Sequence, residues 1–134
     1  MLTLTPPITF RGWSTASKTM LETRRLPYNA PYVVNMQTTG LKDANGKIIF
    51  AGDIIKPTNA LPKNIRERNT HIIAYELGCF ITVSLNENCP EAYKKFPFSS
   101  YRYTSKLESF EVVGNVFENP DLVPESIRES ILYA

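Results

Sequence analysis

TGLKDANGKIIFAGDIIK, residues 39–56, sets a turn, a short apolar strand, a second glycine turn and another apolar strand in succession. Asp43-Ala44-Asn45-Gly46 reads as the first turn, because Asn-Gly suits the left-handed backbone angles of a hairpin loop. Gly46 takes a positive φ at little cost. KIIF (47–50) is then the returning strand, Ala51-Gly52-Asp53 breaks it, and IIK (54–56) resumes it. These bends are expected to bring Leu41, Ile48, Phe50, Ile54 and Ile55 into one compact core. Upstream, YVVNMQTT (32–39) alternates Tyr32, Val34 and Met36 against Val33, Asn35 and Gln37, the period of a strand.

Working outward, ITFRGW (8–13) sets Ile8, Phe10 and Gly12 against Thr9, Arg11 and Trp13 and predicts an early strand. PTNALPKNIRERNT (57–70) has two prolines and no clean period, so it reads as a surface loop, with one helical turn near Asn64–Arg68. HIIAYELGCFITVSL (71–85) predicts two strands around a bend at Glu76–Gly78. SKLESFEVVGNVF (105–117) ends in a strand that Gly114 interrupts, which marks a bulge. At the end, Pro124, the acidic Glu125, and Ile127 and Ile131 four apart predict a short helix with one apolar stripe. The sum is about seven short strands with glycine and proline turns plus one terminal helix, a mostly-β fold closed as a barrel or strongly bent antiparallel sheet.

The chain has 134 residues and 15.2 kDa, the size of one ordinary domain, and 43% hydrophobic with 21% charged residues places it among globular proteins. One domain over 1–134 is expected, with its pattern concentrated in 8–56 and 108–123 and a variable central segment at 57–107. No apolar run approaches the roughly 18 residues of a membrane helix. MLTLTPPITFRGW lacks the basic start and unbroken apolar segment of a signal peptide. The expectation is a soluble, cytoplasmic protein with no membrane contact. Cys79 and Cys89 read as packed or idle thiols. His71 and the two cysteines are too scattered for metal-ligand spacing, so neither metal nor other cofactor is expected. Net charge is +2, but residues 1–70 carry ten Lys/Arg against four Asp/Glu and residues 71–134 five against nine. That asymmetry suits either a nucleic-acid face or the electrostatic meeting of subunits in an oligomer.

Three blocks together resemble the YopX family of phage and prophage proteins. The first holds Phe10, Arg11 and Trp13. The second holds Met36, Gln37, Thr39, Gly40, Leu41, Asp43 and Gly46, followed by Gly52, Asp53 and Ile54. The third holds Val113, Gly114, Asn115, Glu118, Asn119 and Pro120. Ser14, Ile48 and Ala51 stand where the family often carries an acid, which removes negative charge beside the turns. The resemblance implies a small mostly-β domain related to SH3-like barrels, a tendency to form homo-oligomers, and a place among phage accessory genes in the bacterial host. It brings no catalytic residues with it.

For sites, Asp43 and Asp53 flank glycine turns, and an Asp there caps its own turn through backbone N–H groups more often than it holds a ligand. His71 has no neighbouring nucleophile signature and reads as a packed or strand-edge histidine. The stretch YKKFPFSSYRYTSK (93–106) interleaves Tyr93, Phe96, Phe98, Tyr101 and Tyr103 with Lys94, Lys95, Arg102 and Lys106. Aromatics stack on bases while cations meet phosphates, so this is the candidate nucleic-acid surface. The same composition serves a protein interface or covers a barrel end. Two functional readings follow. One is a non-enzymatic homo-oligomer that binds a host or phage protein. The other is a nucleic-acid-binding regulator using residues 93–106.

Overall fold

The computed structural model describes residues 8–58, 70–76, 78–86, 95–97 and 110–132. Its strands form two antiparallel sheets, one of them curled into a half-barrel, with a short C-terminal helix. The first sheet has the order β2-β1-β3-β4, from β1 (Phe10–Ser14), β2 (Thr19–Met20), β3 (Val33–Lys42) and β4 (Ile48–Phe50). The second has the order β8-β7-β6-β5-β9, from β5 (Asp53–Pro57), β6 (His71–Glu76), β7 (Cys79–Ser84), β8 (Lys95–Pro97) and β9 (Phe110–Asn115). Helix α1 spans Glu125–Leu132, with the Pro124 carbonyl accepting from the Ile127 and Arg128 N–H groups at 3.0 Å each.

Nine strands among the described residues exceed the about seven expected from pattern, because elements of two or three residues such as β2 and β8 are too short to show a period. The anticipated turns are in place. Gly46 lies at φ 78 and Gly52 at φ 94, and Asn45 is not left-handed, so the first turn closes through the Gly46 N–H to the Asp43 carbonyl at 3.0 Å. At Gly114 the β5–β9 register shifts from Ile54↔Gly114 to Ile55↔Val112, leaving Val113 as the extra residue of a bulge.

Gly52, in the link between the sheets, is held to the second sheet by two backbone hydrogen bonds. The Gly52 N–H donates to the Ile73 carbonyl at 2.7 Å, and the Gly52 carbonyl accepts from the Val116 N–H at 2.9 Å. The positive φ at Gly52 favours glycine, and a Cβ there would also press on Met36 Sδ at 3.2 Å.

Packing departs from the expectation of one core in two respects. Ile48 is 41% exposed and Ile49 fully buried, since in an unbroken apolar triplet only the strand register decides which side chain points inward. Ile54 and Ile55 are both fully buried but on opposite faces of their sheet, where they enter two clusters. Ile55 packs with Ile49, Ile73 and Phe110, and Ile54 with Ile72, Val116 and Val123. Ile127 and Ile131 of α1 pack on the second cluster.

Candidate functional site

The two aspartates beside the glycine turns are consumed by structure. Asp43 Oδ1 accepts from the Asn45 and Lys47 N–H groups at 2.9 and 2.8 Å, and Oδ2 accepts from Val112 N–H at 2.8 Å. Asp53 is fully buried. Its Oδ2 accepts from Phe50 N–H at 2.8 Å, and its Oδ1 is paired with Arg11 Nη2 at 2.6 Å. The Arg11 guanidinium lies 4.6 Å from the centre of the Phe50 ring and donates to Met36 Sδ at 3.5 Å. Burial pushes the Asp53 carboxyl above its ordinary pKa, outweighing the pull of Arg11, the Phe50 N–H and Lys47. This ion pair ties β1 of one sheet to the start of β5 in the other.

Asn115 does the same work at the far end of β9. Its Oδ1 accepts from Phe117 and Glu118 N–H groups, and its Nδ2 donates to Glu118 Oε1 at 2.7 Å. Its own N–H donates to Asn119 Oδ1 at 3.2 Å. Gly114 leaves room for the Asn119 side chain. Pro120 opens the 3-10 turn Pro120–Leu122. Trp13 stacks on Phe117 at 5.6 Å, and Phe10 bridges Arg24 across the first sheet. Gly40 lies at φ 81 within β3.

Among the described residues, a cleft of about 880 Å³ lies between the five-stranded sheet, β3 and α1. That volume is in the range of small-ligand sites, roughly 300–1,000 Å³. Ala74, Ile81 and Val83 share one face of β6 and β7, by the register Ala74↔Ile81 and Ile72↔Val83, and form its floor. Val34 and Met36 of β3 stand on one side and Ile127 and Ile131 of α1 on the other. Ser126 and Ser130, one helical turn apart, Glu76 and Lys95 supply polar groups at the margin. Tyr75, 60% exposed, packs edge-on against Phe80 beside it.

Of the sequence-derived surface at 93–106, Lys95 is placed: it opens β8, and its ammonium meets Glu76 Oε2 at 3.0 Å. Phe96 contributes backbone to β8, opposite Thr82. Tyr93, Lys94, Phe98, Tyr101, Arg102, Tyr103 and Lys106 lie outside the described residues, as do Cys89 and the helical turn expected near 64–68. His71 is buried in β6, and Cys79 is exposed rather than packed, with its thiol 3.5 Å from the Glu76 carbonyl. No helix among the described residues is long and apolar enough to cross a membrane, and no group of three or more His, Cys, Asp or Glu among them is placed to hold a metal. The cleft residues escaped sequence reasoning because β6 is apolar on both faces. The exposed Tyr75 and the Ser126/Ser130 spacing were the available signals.

The profile of the family described as YopX protein matches residues 23–124. The chain belongs to the YopX family. It is similar to the crystal structure of protein EF1440 from Enterococcus faecalis, with 27% identity and a TM-score of 0.56. That match covers 87% of this chain and 98% of the other. No curated protein sequence matches it.

Proposed function

We propose that this YopX-family chain is a non-enzymatic binding protein of phage or prophage origin, working as a homo-oligomer in the host cytoplasm and receiving a host or phage protein in its cleft. The cleft carries the reading: aliphatic side chains lining it together with polar ones such as Glu76, Lys95 and Ser126 fit the anatomy of a protein interface. Asp43 and Asp53 support the non-enzymatic part, since their oxygens are committed to backbone N–H groups and Arg11. Kinship with SH3-like barrels belongs to the same proposal, as does the homo-oligomer, which the family resemblance suggests.

The test is an affinity capture from infected cells, with and without nuclease, using the wild type and Val34→Asp, a substitution at a cleft position already exposed. The expected result is a protein retained after nuclease and lost in the variant. Capture abolished by nuclease would transfer the function to nucleic acid, and gel shifts at two salt concentrations would then show the steep salt dependence of phosphate contacts. A strict monomer by light scattering would remove the oligomer from the proposal.

A further inference from the structure

The charged pair at the cleft has an unusual placement. Glu76 ends β6 and Lys95 begins β8, and β7 lies between those strands, so the pair reaches across a strand rather than along a ladder. Both residues line the cleft whose floor is Ala74, Ile81 and Val83. The side chains are 46% and 57% exposed respectively. An ion pair so exposed contributes little to folding, because solvent screens it and two long side chains must be immobilised. Its charges can therefore be exchanged for those of a partner at almost no net cost, while covering the apolar floor supplies the driving force.

We infer that Glu76 and Lys95 form an exchangeable latch that selects the partner. The occupant is a segment of another protein carrying an apolar side chain that settles on Ala74, Ile81 and Val83. On either side of that anchor it bears a basic side chain that takes Glu76 and an acidic one that takes Lys95. A peptide with two like charges leaves one latch residue facing its own sign, and a wholly apolar peptide gains nothing by parting the pair. The inference rests on the binding-protein reading above and adds the chemistry of the partner.

A random-peptide display library, selected against the full immobilised chain, tests it. Wild type should enrich peptides with an aliphatic or aromatic centre flanked by one basic and one acidic residue. Glu76→Lys, which leaves two cations at the margin, should enrich acidic residues on both flanks. Lys95→Glu should enrich basic residues on both. Binding of a wild-type-selected peptide, followed by fluorescence anisotropy, should weaken about fivefold in Lys95→Met, the loss of one exposed charge pair. Both latch positions are exposed, so these substitutions leave the fold intact. The same motif from all three proteins would overturn the latch and leave the cleft as a binding site. Peptides whose binding ignores both Val34→Asp and Ser130→Arg would overturn the latch and the cleft together. Enrichment of this chain's own sequence would make the occupant a second copy and overturn the assignment to a different protein.

Discussion

The Val112 N–H donates to Asp43 Oδ2 at 2.8 Å across 69 residues of sequence. Beside it the Ala44 N–H donates to the Phe110 carbonyl at 2.9 Å. β9 is the outer strand of its sheet, and this turn covers part of its open edge. Exposed edges invite pairing with other chains, so one carboxylate shapes a turn and blunts an edge at once.

Asp43→Ala should therefore cost about 2 kcal/mol, the effect of losing charge-assisted bonds from three backbone N–H groups to a buried carboxylate. Urea unfolding measures it. Asp43→Asn, which keeps a carbonyl oxygen for the turn, should lose less. Light scattering should also show faster aggregation of the alanine variant at equal fractions folded, since β9 then presents unpaired groups.

Asp53 gives a pH dependence of definite sign. Its folded pKa lies above the ordinary 3.8, so the folded state binds the proton more tightly than the unfolded chain. The stability this group contributes is fully present below 3.8 and is lost as pH rises through the folded value. Wild type should thus gain stability relative to Asp53→Asn as pH falls from neutral towards 4, measured by denaturant titration at several pH values. A difference that instead grew with rising pH would show that Arg11 outweighs burial. Arg11→Met should cost about 3–5 kcal/mol at neutral pH, because it leaves a buried carboxylate without its partner.

A methyl group at Gly114 would collide with the side chain of Asn119, which accepts from the Asn115 N–H. Gly114→Ala should cost about 1–3 kcal/mol through this overpacking. Asn119→Ala removes the obstacle, so the double variant should be more stable than the two single costs predict, by about 1 kcal/mol. Strict additivity in a double-mutant cycle would show that Asn119 moves aside freely.

Trp13 is the only tryptophan of the chain, and its contact with Phe117 joins β1 to the turn after β9. Phe117→Leu should lose about 1 kcal/mol of ring contact and move the emission of the folded protein to the red. Emission unchanged in the folded state would mean that the indole is covered by other groups.

Much of the fold was legible because turns are written locally. Asp43 to Gly46, the break at Gly52, the bend between Glu76 and Gly78 and the bulge at Gly114 each depend on residues within a few positions. Pairs such as Arg11 and Asp53 were not legible, being 42 residues apart with no local pattern connecting them. Ile54 and Ile55 show the same limit. Two apolar neighbours in a strand covered on both faces must serve different cores, and apolar content alone does not say so. The cleft depends on which face of β6 meets α1, a relation between distant segments. The aromatic and basic run at 93–106 stood out by composition, which marks stickiness but gives no position.

The backbone node at Gly52 also imposes an order on folding. Its two hydrogen bonds reach Ile73 and Val116, loops of about 20 and about 60 residues whose closure entropy precedes any reward. The β6–β7 hairpin, by contrast, pairs neighbours in sequence from His71↔Ser84 to Glu76↔Cys79 and can form early. Joining the sheets is then the late, cooperative step, and the amides of Gly52 and Val116 should exchange with solvent only through global opening. A substitution at Gly52 would act mainly on this late docking of the two sheets.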